Sequence, residues 1–470
     1  MTSAKASPNS PTTERPSSSN FMERLPYAQR MRNRCIAITV LVTIIIAIVH
    51  CSTKDDTTSK PSENAHDIVP VAEVDNEKSA IEDSVAAEDN ANLAGLVNNG
   101  LTALTGIEDK DFEKVTPPSS NETTSEATES VRDTLHIKSQ KDPVLADRID
   151  ILLRRYRPDL GVILVVDTKT NEILAWGERR DGQVQNKPDW IGRATFPAAS
   201  LAKLVTISAA MESNRYSLNT PIPMIGRHHT LYLNQLRVPE KYNGPTMELS
   251  EAFARSANPP MAIVGKNVGA KRLLSAAAKL GYNKRFPGNA PNPSSYTAPD
   301  TGYGLAEVAC GFTTSTTLTP LLAAAQVRAV LTKKPLEIPW ARDMAPFAPQ
   351  KPIALDVGKF SENTYYGLRE AMLRSVTQGT ARKHMSTKNM ARKNFEALRL
   401  GGKTGSLDGT DPVGRYDWFM GFAEAKADPS KSIVVIVMQM HKEIRSQPAT
   451  QVAAAIINYW AHQNLDNKRK

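Results

Sequence analysis

Two kinds of apolar pattern dominate the second two-thirds of the chain. G-V-I-L-V-V-D-T-K-T-N-E-I-L-A-W-G (161–177) is an apolar run, a polar turn and a second apolar run, the pattern of an antiparallel hairpin. Three further runs near the far end predict strands: A-L-R-L-G-G-K-T-G-S (397–406), D-W-F-M-G-F-A (417–423) and S-I-V-V-I-V-M-Q-M (432–440). Between these groups the spacing turns helical, and helices also flank them, at R-I-D-I-L-L-R-R-Y (148–156) and around Gln451 to His462. Strands at both ends with a helical middle predict an α+β fold, an antiparallel sheet flanked by helices with an all-helical lobe.

The pattern before residue 140 is different. C-I-A-I-T-V-L-V-T-I-I-I-A-I-V-H-C (35–51) is the only candidate for a bilayer. It covers about 25 Å as a helix, against a hydrocarbon core of about 30 Å. The length also suits the apolar region of a signal peptide, but no small-x-small cleavage site follows, and His50 is a poor neighbour for a lipidated Cys51. An uncleaved transmembrane signal anchor is the reading, with arginines holding residues 1–34 in the cytoplasm and everything after Cys51 exported. Residues 52–140 are rich in Ser, Thr, Asp, Glu and Asn and poor in aromatics, which predicts a disordered acidic linker. Within it, Leu93, Leu96, Val97, Leu101 and Leu104 fall at near-helical spacing, interrupted by Gly100. The predicted divisions are therefore a cytoplasmic tail 1–34, an anchor 35–51, a linker 52–140 and a folded domain 141–470.

Composition changes the picture in two ways. The formal charge is +9. With an acidic linker, the folded domain must be more basic than that figure, which favours anionic partners. Export excludes nucleic acid among them. The three cysteines, Cys35, Cys51 and Cys310, are too scattered for a disulfide framework, and Cys310 reads as a buried thiol. His228 and His229 are adjacent and the other histidines dispersed, so no metal site and no cofactor are expected.

The candidate chemistry lies in F-P-A-A-S-L-A-K-L-V-T-I-S-A-A-M-E (196–212), which predicts a helix apolar nearly all round. Ser200 and Lys203, three apart, project from one face of such a helix. An ammonium buried among Leu201, Leu204, Val205 and Ile207 costs several kcal/mol, so the amine tends to shed its proton. A neutral amine beside a hydroxyl is a general base beside a nucleophile. About 50 residues on comes R-S-A-N-P-P, with Ser256 and Asn258 two apart, and about 145 beyond that G-G-K-T-G-S, with Lys403, Thr404, Gly405 and Ser406. No G-x-S-x-G elbow is present.

S-x-x-K, S-x-N and K-T-G-S in that order resemble the penicillin-recognising serine acyltransferases. Over residues 145–465 the chain is similar to the transpeptidase domain of penicillin-binding proteins. The opening hairpin, F-T-T-S-T-T-L-T-P-L-L-A-A-A (312–325), G-T-A (379–381) and D-W-F-M-G-F-A match as well. The resemblance implies that Ser200 attacks the bond between two D-alanines of a peptidoglycan stem peptide, with Lys203 as base. It implies a proton relay through Ser256 and an orienting role for Asn258. Lys403, Thr404 and Ser406 would hold the terminal carboxylate, Gly405 would admit the substrate backbone, and the N–H groups of Ser200 and Ser406 would form an oxyanion hole. The implied function is a membrane-anchored D,D-transpeptidase that is acylated by β-lactams. It would be single-pass in the bacterial inner membrane, with its domain facing the periplasm and a cell-wall synthesis complex as a candidate partner. The alternatives are a D,D-carboxypeptidase or endopeptidase of the same fold, a β-lactamase, or a non-catalytic penicillin-binding-like sensor or scaffold. Against a β-lactamase, Phe286 to Ala306 contains no glutamate. Asp408, Asp411 and Arg415, after the third motif, are candidate rim residues.

Overall fold

A computed structural model describes residues 140–286 and 293–465. The candidate anchor 35–51, the Leu93–Leu104 pattern and nearly all of the linker lie outside the described residues. Among the described residues no helix is long and apolar enough to cross a membrane.

The first helix, α1 (Pro143–Tyr156), starts where Asp142 caps it, its carboxylate accepting from the Leu145 N–H at 2.9 Å. The expected hairpin follows as β1 (Leu160–Asp167) and β2 (Ile173–Arg180), with a short β3 (Gln183–Gln185). The three late strands are β8 (Leu398–Thr410), β9 (Val413–Ala425) and β10 (Ser432–His441). All pair antiparallel in the order β3-β2-β1-β10-β9-β8, so the first long strand lies against the last.

Both faces of this sheet are covered, which is why its central strands read as unbroken apolar runs rather than as alternation. Ile163, Val165, Val435 and Val437 pack against α1 and against the C-terminal helix, α10 (Ala449–Leu465). The intervening positions Val162, Leu164, Val434 and Ile436 join the larger core on the other face. That core is built from α2 (Lys203–Glu212), α3 (Leu249–Ala254), α4 (Asn258–Val268), α5 (Ala270–Lys279), α6 (Gly302–Cys310), α7 (Pro320–Thr332) and α8 (Glu362–Thr377). A short α9 (Arg392–Ala397) leads into β8. Thr319 caps α7, accepting from the Leu322 N–H at 3.0 Å with Pro320 at the first helical position.

Two expectations need correction. The helical region is not all-helical: it carries two small sheets, β4 (Pro221–Pro223) with β5 (Thr246–Glu248), and β6 (Glu337–Ile338) with β7 (Ile353–Ala354). These are pairings of loop segments too short to leave a periodic signal. The helix expected over 196–212 is broken as well. Phe196 to Ala198 lie outside any helix, with Pro197 bridged to Thr317, Ala199–Ala202 form a 3₁₀ turn, and only Lys203–Glu212 is α-helical. Tertiary bonds hold the first part open, since Ala198 N–H donates to Thr316 O at 2.8 Å and Trp418 Nε1 donates to Pro197 O at 3.0 Å. Ala199, at φ 50°, then turns the chain into the helix.

Candidate active site

Helix α2 is buried around its whole circumference from Lys203 to Met211. A lysine there has no exit for its amine, and Lys203 is 0% exposed. Its Nζ is met by three fixed acceptors: Ser200 Oγ at 2.8 Å, Asn258 Oδ1 at 2.8 Å and the Cys310 carbonyl at 2.6 Å. Burial lowers the Lys203 pKa from 10.5 to about 8. The Ser200 hydroxyl thus lies within hydrogen-bond reach of an amine poised to lose a proton near neutral pH.

Each partner is placed by a separate element. Ser200 sits in the 3₁₀ turn that ends against α2. Asn258 is the first residue of α4; its N–H donates to His228 O at 2.6 Å and its Nδ2 to His229 O at 3.0 Å. With the amide so anchored, Oδ1 has one direction left, toward Lys203. Cys310 closes α6, and its carbonyl faces the same amine. Its thiol is free and buried, and burial raises it to about 11, so that thiol is inert and the backbone of this residue is what the site uses. Gly311 follows at φ 69°, and a Cβ there would overlap the Ala199 carbonyl. Only glycine lets the end of α6 approach the 3₁₀ turn so closely.

The second lysine, Lys403 on β8, is also 0% exposed. Its Nζ donates to Ser256 Oγ at 2.9 Å and to Thr404 O at 2.8 Å, and lies over the Phe253 ring, 5.5 Å from the centroid. Burial and repulsion from Lys203 hold its pKa well below the ordinary value. Ser256 adopts φ 57° in the turn between α3 and α4, a left-handed conformation that is costly for serine. Gly405 lets β8 run against the 3₁₀ turn, because a Cβ there would come within 3.1 Å of the Ala198 carbonyl. Thr404 Oγ1 shares a hydrogen bond of 2.6 Å with Thr380 Oγ1.

All eight residues singled out in the sequence come together. Ser200, Ser256, Asn258, Thr404, Gly405 and Ser406 line one open cleft of ≈ 460 Å³, and the two lysines lie beneath its floor. Of the three candidate rim residues only Arg415 lines it; Asp408 pairs with Arg415 at 3.2 Å in the exposed β8–β9 hairpin, and Asp411 is not on the wall. Motif spacing missed Gly311, His384 and Arg445, which also line the cleft, and the Cys310 carbonyl below it, while Phe312 and Asp417, also on the wall, were signalled only as the first residues of the F-T-T-S and D-W-F-M-G-F-A segments. Thr380 was signalled only through the G-T-A triplet. Asp417 is the sole carboxylate on the cleft wall among the described residues. Its Oδ2 accepts from Arg445 Nη2 at 3.1 Å and from the Ala449 N–H at 3.0 Å.

The sequence model of the penicillin binding protein transpeptidase domain matches residues 161–458. Stage V sporulation protein D of Bacillus subtilis is 24% identical over 342 residues, 64% of this chain and 49% of that protein. Peptidoglycan D,D-transpeptidase PbpA of Mycobacterium tuberculosis is 25% identical over 327 residues, 60% of this chain and 62% of that one. The chain thus spans about half to three-fifths of the length of these relatives. Among solved structures, the imipenem acyl-enzyme complex of penicillin-binding protein A from M. tuberculosis superposes with a TM-score of 0.51 at 18% identity. That match covers 68% of this chain and 78% of the other. The family match over most of the folded residues and the shared fold agree with the meeting of three motifs in one cleft: the chain belongs to the family of penicillin-binding protein transpeptidase domains.

Proposed function

We propose that the protein is a serine-type D,D-transpeptidase that cross-links peptidoglycan stem peptides and is acylated by β-lactams. The observation that carries this reading is the buried Lys203 amine, 2.8 Å from the Ser200 hydroxyl and fixed by Asn258 and Cys310. At a pKa of about 8, roughly one amine in ten is neutral at pH 7, enough to sustain a base without a histidine. Ser200 Oγ attacks the carbonyl carbon between the two terminal D-alanines while its proton passes to Lys203 Nζ. The oxyanion is held by the N–H groups of Ser200 and Ser406, each such donor being worth about 10²–10³ in rate. The C–N bond then breaks, and the departing amine takes a proton through the Ser256 hydroxyl, which Lys403 Nζ contacts from below. That hydroxyl is replenished with the proton that Lys203 took from Ser200, so that both side chains return to their starting states. An amine of a second stem peptide attacks the ester, restores the Ser200 hydroxyl and completes the cross-link.

Among the described residues the one carboxylate on the cleft wall, Asp417, is committed to Arg445 and to the start of α10, which leaves none beside Ser200 to activate water. That favours an ester that waits for an amine over a rapid hydrolase. The relatives named as transpeptidases, and the acyl-enzyme formed by one of them with imipenem, support the same assignment. The apolar run 35–51 and the linker 52–140 are read as an anchor and a tether that present the domain outside the cytoplasmic membrane. The test is labelling with a fluorescent penicillin, followed by incubation with stem peptide and an amine acceptor. Stable label on the wild type, none on Ser200→Ala, and an amide product are expected. Free tetrapeptide alone would make it a carboxypeptidase, and absence of label would make it a binding protein.

A further inference from the structure

A substrate that ends in a free carboxylate needs a cation on the wall of the cleft, and the lysines do not supply it. Lys403 is fully buried, its amine directed to Ser256 Oγ and Thr404 O, and burial disfavours its charged form. Lys203 is equally enclosed and committed to three acceptors. Neither reaches the cleft surface. Among the described residues the permanent cations that do are Arg415 and Arg445.

The two arginines are not equivalent. Arg415 pairs at 3.2 Å with Asp408, whose side chain is 80% exposed at the hairpin, so that pair is free to move and screened by water. Arg445 stands in the loop between β10 and α10 and is held at 3.1 Å by Asp417, whose side chain is 9% exposed and which also accepts from the Ala449 N–H. Asp417 lies directly across from Ser406 in the β8–β9 register, so the two side chains share a face of the sheet. The Ser406 hydroxyl is buried, has no hydrogen-bond partner, and belongs to a residue of the cleft wall. A buried hydroxyl without a partner is uncommon and marks a place where an acceptor is expected. The guanidinium uses one N–H group on Asp417 and keeps others for a second, charge-assisted contact.

We infer that Arg445, positioned by Asp417, is the cation that recognises the terminal carboxylate of the acyl donor, with the Ser406 and Thr404 hydroxyls as its companions. Lys403 is thereby left to act on Ser256 rather than on the substrate. The inference rests on the acyl-transfer reading of the cleft and adds to it a specificity residue outside the three motifs.

The experiment compares acylation of the full chain by a fluorescent penicillin and by the methyl ester of the same probe, which lacks the anion. The wild type should prefer the acid. Arg445→Ala should lower the second-order rate with the acid by about ten- to a hundredfold, the range of a charge-assisted hydrogen bond, and leave the ester rate nearly unchanged. Arg445→Lys should recover part of the preference, and Asp417→Asn should fall between, as a positioning residue would. The acid-to-ester ratio is internal to each protein, so partial misfolding of a variant does not move it. A reactive wild type whose preference survives unchanged in Arg445→Ala overturns this inference alone. A wild type that reacts with neither probe overturns the acyl-transfer reading and the inference with it.

Discussion

Replacing Lys203 by methionine keeps the bulk of the side chain and deletes the amine, and the structure fixes what that does to stability as pH changes. Burial lowers the folded pKa to about 8 from an ordinary 10.5. Below pH 8 the folded protein therefore carries an enclosed ammonium, disfavoured relative to the unfolded chain by about 3 kcal/mol. The sign follows from proton counting. Between about pH 8 and 10.5 the unfolded chain binds more protons at this residue, so the penalty is full below the folded value and fades as pH rises. Methionine removes it at every pH but strands Asn258 Oδ1 and the Cys310 carbonyl, each costing about 1–3 kcal/mol. At pH 7 these effects oppose, and the variant should lie within about 3 kcal/mol of the wild type. The sharper expectation is the slope: between pH 7 and 9.5 the wild type should gain about 2 kcal/mol over the variant. Urea unfolding of both proteins across that range measures it; the part of the Lys403 shift due to burial is common to both, and only the part due to repulsion from Lys203 is lost in the variant. Acylation by penicillin should fall about 10²–10⁴-fold in the variant. Parallel stability curves would refute the depressed amine, and acylation at the wild-type rate would refute its role as base.

Two further outcomes follow from the same geometry. Asn258→Asp puts a negative charge 2.8 Å from the Lys203 amine, which favours the ammonium, so the pH at which acylation reaches half its plateau should move up by about 1–3 units. Stopped-flow acylation between pH 6 and 10 reads this, and an unmoved midpoint would show that another group limits the rate. Gly311→Ala forces a methyl into the Ala199 carbonyl and a side chain into φ 69°, so it should cost about 2–4 kcal/mol in urea unfolding and weaken labelling together.

What the sequence revealed and what it hid divide along physical lines. The hairpin at 161–177, the three late strands and the helices at both ends are local patterns, and each appears within a few residues of its expected place. The eight motif residues were legible because their chemistry requires fixed residue types at fixed spacings. Contacts that depend on the fold were not. Nothing in the spacing of Leu160 and Met440 says that they are neighbours, yet β1 against β10 is what joins the early and late strands into one sheet. Cys310 reads as a small hydrophobe because its side chain is one, whereas its part in the site is played by a carbonyl that every residue type has. Arg445 belongs to no motif, and it meets Asp417 only when β9 and the start of α10 are brought together. The false start at Phe196 has the same origin: local apolarity predicts a helix, and bonds to Thr316 and Trp418 open it.

Ala199 shows how far the tertiary structure overrides local preference. Among the described residues the non-glycine positions with φ above zero are otherwise polar or charged, such as Asn171, Asp181 and Asn214; Ala199 alone has neither a polar side chain nor glycine's freedom. Its conformation costs about 1–2 kcal/mol. The residue immediately precedes Ser200 and is packed against β8 and Gly311 with 0% exposure. Strain maintained at such a position is a hypothesis of function, because it fixes the direction in which the next side chain leaves the backbone. Ala199→Gly relieves the strain, loses about 0.8 kcal/mol of methyl burial and adds about 0.5–1 kcal/mol of unfolded-state entropy. Stability should therefore change by less than about 1 kcal/mol, while acylation falls about tenfold or more because the hydroxyl is no longer held in one direction over Lys203. Urea unfolding and penicillin labelling of the same preparation separate the two quantities. A glycine variant that loses stability and keeps its full acylation rate would mean that the strained turn serves packing alone.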